Sequence, residues 1–439
     1  VASPPGESAE TSIYASDTDW HQLMLICVTQ FMAWAGFGAI LPYLPVFLKE
    51  QAHAKIWMIG VVASAYYVGT FIFSSPLGRL SDLIGRKPVI LTGSVLYAIA
   101  TFLFVTTRDP WWFLLFRFVE GLGAAAAGPA GNAFVADITT DDKRSQAFGW
   151  LTTAQFGGLI VGPLAGSVIM GLGGGGMRGF HAIFLVGSAT MAVTSVTLAL
   201  RLHEPAHSAR RRREKVARPS YRSLASPPVV AFLVIAATGH FAMGAWEVLW
   251  SIWLRHLNAS MAFIGWTWAA FSMPMLLSFL GGYVADRGNR FWLMFSGYAI
   301  SGFAWIMYGA TRNLTVFLVF NILEGFAIAW AWPAKAAFLV QVSPRRWLGS
   351  VQGMEQTSMQ LAALIGTLLA PTLYERIGGY AISIGGVFLY AGMLYAGPIL
   401  HEEWGRIRAS GEVLPAAEAE RLITAERLAI PDDDLFVIR

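Results

Sequence analysis

Charge is scarce in this sequence. Only 13% of its 439 residues are Asp, Glu, Lys or Arg, against about 25% in a soluble domain, which excludes an ordinary water-soluble globule. Cysteine is scarcer still. Cys27 stands alone in an apolar segment, excluding a disulfide framework or cysteine metal cluster and leaving a small buried hydrophobe. No nucleophile–base set, metal-ligand group or phosphate loop is apparent, so an enzyme is not expected and no cofactor or metal is called for. The first 19 residues are polar and hold no Lys or Arg, so no cleavable signal peptide is expected there.

What is plentiful is apolar length. Hydrophobic residues make up 55% of the chain, glycine numbers 45, and mean hydropathy is +0.54. A spanning helix needs about 20 apolar residues. Twelve such runs are found, at 20–47, 56–78, 88–107, 111–136, 145–171, 180–202, 227–254, 261–284, 291–310, 314–340, 349–373 and 379–400. They are continuous rather than alternating, which excludes a β-barrel and predicts an all-α integral membrane protein. The abundant glycine suits helices that must approach closely. Lys and Arg in the loops after even-numbered spans outnumber those in the other loops more than twofold. The even loops, and with them both termini, are therefore expected in the cytoplasm of a cell with a plasma or inner membrane. The expected organisation is a tail (1–19), a six-helix half (20–202), a basic linker (203–226), a second six-helix half (227–400) and a tail (401–439) with a short amphipathic helix at 411–429. The net charge of +4 is concentrated in loops, which favours a membrane surface over nucleic acid, and the linker reads as a solvated segment or an anionic-lipid contact.

The chain repeats itself at an offset of 204. "FRFVEGLGAAAAGPAGNAFV" (116–135) aligns without gaps to "FNILEGFAIAWAWPAKAAFL" (320–339), with nine of twenty positions identical, among them Glu120/Glu324, Gly121/Gly325 and Pro129/Pro333. Gly78 pairs with Gly282, Asp82 with Asp286 and Gly149 with Gly353. Parallel repeats of this kind enclose a midplane site and move against each other in alternating access.

At this point the chain resembles the major facilitator superfamily over nearly its whole length. "GRLSDLIGRK" after the second span matches the family's motif A loop through Gly78, Asp82, Gly85, Arg86 and Lys87. "RFVEGLGAA" is similar to motif B, with Arg117 as its arginine and Glu120 where many members have glutamine. "GGLIVGPLAG" (157–166) resembles motif C, the antiporter signature of drug:proton exporters, through Gly158, Gly162, Pro163 and Gly166. The resemblance implies a twelve-helix transporter of the drug:proton antiporter branch, driven by a proton gradient. The sequence departs from several multidrug members in having no ionisable side chain from Leu23 to Phe47 of the first span.

Ionisable groups inside a bilayer are costly and are candidates for function. At 1.5 Å per residue from Trp111, Arg117 lies about 9 Å and Glu120 about 14 Å deep, on one face of their helix. Two readings stand: a proton site in which Arg117 holds Glu120 charged until transport separates them, or a structural ion pair. Glu324 has Asn321 in place of the arginine and is expected to be unpaired, cavity-facing and a proton carrier. Lys335, eleven residues on, shares its face but lies about 16 Å away, and is expected as a cytoplasmic-end gate or anion contact. His240 and Glu247, seven apart on the seventh span, are further candidates for proton coupling, with a plain hydrogen-bonded His as the alternative. Glu355 is expected near the inner surface and solvated.

Seventeen Trp residues are present. Those at span ends suit the interfacial belt, but Trp34, Trp246, Trp250, Trp330 and Trp332 are expected to line an amphipathic cavity, or else to pack between helices. Prolines 42, 45 and 129 are expected to break helices, and the 157–166 glycines to pack the fifth span tightly, against the other half. In the gate, Gly78 and Gly85 are expected to form a tight turn, with Asp82 against a helix N-terminus of the other half and Arg86 paired with Asp137. Asp286 and Arg290 form a weaker copy, with Asn289 where Gly85 stands. The leading expectation is a proton-coupled exporter of amphipathic small molecules, acting as a monomer. A lipid or glycolipid translocase on the same fold and a non-transporting sensor are the alternatives.

Overall fold

The computed structural model describes residues 18–140, 143–204, 224–278, 280, 281, 284, 289–343 and 348–410. Most of the expected linker and the amphipathic helix at 411–429 lie outside the described residues. All regular structure among the described residues is helical: α1 (Trp20–Ile40), α2 (Leu44–Glu50), α3 (Ile56–Ile84), α4 (Arg86–Leu103), α5 (Pro110–Asp137), α6 (Arg144–Leu172), α7 (Gly176–Arg201), α8 (Pro227–His256), α9 (Met261–Ser272, continued as a 3-10 turn to Leu277), α10 (Arg290–Ala310), α11 (Leu314–Val342), α12 (Leu348–Ile377) and α13 (Tyr380–Ser410). Among the described residues, nine helical stretches are long and apolar enough to cross a membrane. Of the twelve expected spans, those on α4 and α12 fall short of that measure, and the one on α9 lies partly outside the described residues. In α12 the cause is polar residues such as Gln352, Glu355, Gln356 and Gln360 in its first turns.

Helix starts follow local capping chemistry. Asp109 accepts the Trp111 N–H at 3.0 Å with Pro110 in the first turn, and Asn313, its counterpart in the repeat, accepts the Thr315 N–H at 2.9 Å. Such caps satisfy amide hydrogens that have no partner within the helix. The first expected span divides at residues 41–43, with Pro45 opening α2. Pro129 does not break its helix: α5 runs through it to Asp137, as Pro333 is carried inside α11. A bilayer helix tolerates an interior proline where neighbours satisfy the freed carbonyl.

The described residues group into two compact units, one lying within the bounds Val1–Ile40 and Val68–Lys215, the other within Leu41–Tyr67 and Val216–Arg439. The stretch Leu41–Tyr67, placed by sequence with the first half, thus groups with the second. Local bonds hold it there: the Tyr43 hydroxyl donates to the Met261 carbonyl at 3.4 Å, and Glu50 pairs with Arg255 at 2.8 Å.

Each unit is packed by the same scheme. In the first, α1 packs on α6 and α7, and α4 on α5 and α7; in the second, α8 packs on α12 and α13, and α10 on α11 and α13. The repeat extends to single atoms. A Cβ on Gly93 would fall 2.5 Å from the Gly123 carbonyl oxygen. At the matching pair of positions, a Cβ on Gly297 would fall 2.7 Å from the Ala327 carbonyl oxygen. Ile90, Ala130 and Phe134 sit in one core, and Met294, Ala334 and Phe338 in the other. Outward faces carry large apolar side chains such as Leu172 and Leu394, exposed by 85% and 79%. Faces of this kind suit lipid rather than water.

Candidate functional site

The acids that match across the repeat are both buried and both tied to the preceding helix. Glu120 on α5 accepts the Thr101 hydroxyl of α4 at 2.8 Å through Oε1, and Arg117 Nη1 at 2.9 Å through Oε2. Glu324 on α11 accepts three donors from α10: Ser301 Oγ at 3.1 Å and Trp305 Nε1 at 2.5 Å on Oε1, and the Tyr308 hydroxyl at 2.7 Å on Oε2. Trp305 is the repeat counterpart of Thr101, so one bond of the pair is the same in both units. The difference lies in charge. Glu120 has a guanidinium beside it; among the described residues no Lys, Arg or His lies within ion-pair distance of Glu324. Glu324 is expected to be unpaired and cavity-facing, and only the second of these differs from the structure. It has no counter-charge, but it is only 4% exposed and enclosed by neutral donors.

Other expected residues fall into separate places in the second unit. Glu247 on α8 is half-buried and accepts the Tyr67 hydroxyl in a short hydrogen bond. His240 lies two turns earlier, its Nδ1 at 3.0 Å from the Ala236 carbonyl oxygen; a carbonyl only accepts, so Nδ1 carries the hydrogen. Lys335 on α11 pairs with Glu355 on α12, Nζ to Oε1 at 2.6 Å. Glu355, expected to be solvated, is buried, because α11 and α12 bring its carboxylate to the ammonium.

The tryptophans divide as well. Trp250 has no exposed surface; its Nε1 donates to Thr267 Oγ1 at 3.0 Å and its ring lies against Tyr308 and Phe317. Trp246 packs on Trp250 and Trp268 at ring separations of 5.0 and 4.3 Å. Both are core residues rather than cavity lining, since their i, i+4 spacing points at α9. Trp34 is half-buried, edge-on to Phe37, and Trp330 is half-buried with its Nε1 lacking an acceptor. Trp332 is largely exposed.

The motif A residues assemble around Arg86. Its guanidinium is buried and donates to Asp137 Oδ2 at 3.1 Å, Ser81 Oγ at 2.8 Å and Asp82 Oδ1 at 2.5 Å. Gly78 is not part of a turn, as α3 continues to Ile84. The turn is at Gly85, whose φ of 110° favours glycine. Sequence reasoning missed why. The carboxylate of Glu204, just past α7, seats on the start of α4, taking the Arg86 N–H at 2.6 Å and the Lys87 N–H at 2.8 Å. A Cβ on Gly85 would meet the Glu204 carboxyl carbon at 2.9 Å. Lys87 Nζ returns the contact by donating to the Ala199 carbonyl of α7 at 2.9 Å. At the matching start of α10, Asn289 caps the helix with its own side chain, to the Trp292 N–H at 3.2 Å. Arg290 opens that helix, whereas Asp286 and Gly282 lie outside the described residues.

The motif C residues pack α6 on α1 within the first unit. A Cβ on Gly158 would sit 2.5 Å from the Phe31 carbonyl oxygen and one on Gly162 would run into that of Ala35, while Pro163 lies against Gly38. Gly166 is buried on the same helix. The second unit uses Gly366 in the same way, against the Phe241 carbonyl.

The sequence pattern of the Major Facilitator Superfamily matches residues 26–254 and, a second time, 241–426. The chain belongs to the Major Facilitator Superfamily. It is 26% identical over 382 residues to Multidrug resistance protein 2 of Bacillus subtilis (strain 168), covering 83% of this chain and 90% of that protein. It is 27% identical over 367 residues to the class C tetracycline resistance protein of Escherichia coli, covering 80% and 89%. The fold is that of a bacterial homologue of the human lysosomal transporter Spinster in its inward-facing, occupied conformation, with a TM-score of 0.65 and 17% identity over 93% of this chain and 97% of that one. As a member of this superfamily the chain is a multi-pass membrane transporter and not an enzyme. Its buried carboxyls are therefore to be judged by what they contribute to moving a solute.

Proposed function

We propose that this Major Facilitator Superfamily protein exports amphipathic small molecules across the plasma membrane in exchange for protons, by alternating access of its two halves, with both termini in the cytoplasm. The single observation that carries the reading is the asymmetry between Glu120 and Glu324. Both are buried and both take a donor at the repeat-matched position, yet among the described residues only Glu120 has a cation within reach. A buried charge without a partner is costly. Glu324 is thus the group whose protonation a transport cycle can couple to, while Glu120 with Arg117 fastens α4 to α5. Glu247, half-buried beside Tyr67, is the second carrier on this reading. The efflux direction draws on the multidrug and tetracycline resistance relatives.

The test is reconstitution into proteoliposomes with an imposed proton gradient and a panel of lipophilic cations, neutral drugs, organic acids and lipids. The reading expects substrate-evoked proton movement with at least one soluble amphiphile. Proton movement with none of them, or lipid scrambling alone, would overturn it.

A further inference from the structure

We infer that Lys335 is the recognition point for a carboxylate carried by an amphipathic substrate, and that Glu355 holds the place of that carboxylate when no substrate is bound. The inference rests on the transport reading and names the charge class of the cargo.

The Lys335 side chain is 9% exposed and that of Glu355 11%. Nζ and Oε1 are in ionic contact at 2.6 Å. An ammonium has three hydrogens to donate. Beyond Glu355, the other polar contact of Nζ among the described residues is Met359 Sδ at 3.7 Å, and a thioether is a weak acceptor. A buried ion pair that serves stability has its remaining donors and lone pairs satisfied. Arg86 comes closer to that description, with Ser81, Asp82 and Asp137 accepting from its Nε and Nη1. Lys335 does not, so its ammonium has capacity for an incoming anion.

The chemistry of the place narrows the ligand. The carboxylate already there is a monoanion held by one monocation, so a like-for-like replacement is another carboxylate. A dianionic phosphate would leave excess charge in a buried site. Met359 supplies a polarizable apolar surface beside the ammonium, which suits a headgroup attached to an apolar body. The other titratable groups acting on the pair are His240 on α8, which lies within electrostatic reach of Lys335, and Tyr298 on α10, which lies within reach of Glu355.

The experiment uses the full chain in phosphatidylcholine nanodiscs and three probes on one scaffold: 1-naphthaleneacetic acid, its primary amide and 1-naphthylethylamine. Binding is read by titration calorimetry, and proton-driven flux is measured in parallel in proteoliposomes. The wild type is expected to prefer the acid over the amide by about tenfold, the weight of a charge-assisted hydrogen bond. Glu355→Gln removes the internal competitor and should tighten acid binding several-fold. The double variant Lys335→Met with Glu355→Gln leaves no stranded charge, so it tests the site without a folding penalty. It should lose the preference for the acid and keep amide binding. Acid binding equal to amide binding in the wild type, or an acid preference that survives in the double variant, would overturn the inference. So would loss of acid binding on adding phosphatidylglycerol, which would assign the ammonium to a lipid headgroup. Proton-driven flux of the amine or amide without any effect of Lys335 would sink this inference alone. Lysine-dependent acid binding without proton-driven flux would sink the transport reading alone.

Discussion

Trp305 donates to Glu324 from the chain position that matches Thr101 across the repeat, and the Thr101 hydroxyl donates to Glu120. The duplicated chain has kept one hydrogen bond between a helix and the acid of the next, and changed the charge around it. Arg117 neutralises the first acid. Serine, tryptophan and tyrosine donors enclose the second. The two glutamates therefore call for different experiments.

For the first acid the expectation is structural. Arg117→Met leaves Glu120 buried without its cation and should cost about 3–5 kcal/mol, whereas replacing both, Arg117→Met with Glu120→Leu, should be close to neutral. Thermal melting of the purified variants in one detergent checks this. A double variant as unstable as the single one would show that the pair itself is needed.

The start of α4 makes a separate prediction. Gly85→Ala places a Cβ against the Glu204 carboxylate at a φ of 110° and should cost about 1–3 kcal/mol. Glu204→Ala removes a carboxylate cap and should cost about 1 kcal/mol. The combination Gly85→Asn with Glu204→Ala transplants the cap that Asn289 provides at the equivalent helix. Because Gly85 stands at a φ of 110° and Asn289 at −90°, the transplant should not recover the stability lost in Glu204→Ala. Melting temperatures of the three variants decide it.

Glycines that match across the repeat are not equivalent. Gly162→Ala and Gly366→Ala drive a methyl group into the Ala35 and Phe241 carbonyls, and each should cost at least the roughly 1–3 kcal/mol of an overpacked core. Gly149 and Gly353 also match across the repeat, but nothing lies within 4 Å of the added methyl group. Alanine there should stabilise its helix by about 0.5–1 kcal/mol. Yield of folded protein by size-exclusion chromatography and melting temperature together separate the two pairs.

The twelve spans were legible because apolar length and charged turns define a membrane helix with little help from tertiary structure. The offset of 204 was equally legible, and carried from Thr101 it leads directly to Trp305. Gly85 was recognisable as a turn residue, but its reason was not. Glu204 acts on backbone N–H groups of residues 118 and 117 positions earlier, and no spacing rule connects an acid to a distant backbone. The pairing of Lys335 with Glu355 was hidden for a related reason, since it depends on how two helices are rotated about their own axes. Trp246 and Trp250 show the limit of periodicity. Their spacing shows that they share a face, and only the packing of α8 shows that the face is turned to α9 rather than to a solute.

The measurement that bears most directly on the account is proton-coupled transport by Glu324→Gln in proteoliposomes, using a substrate established for the wild type. The amide keeps its carbonyl oxygen for the Trp305 and Ser301 donors, and its NH2 can donate to the Tyr308 oxygen in a reversal of the present bond, so folded yield and melting temperature should stay close to wild type. Uphill transport driven by a pH gradient should fall to the level of empty liposomes, while substrate binding persists. Wild-type accumulation and proton movement in Glu324→Gln would contradict the account.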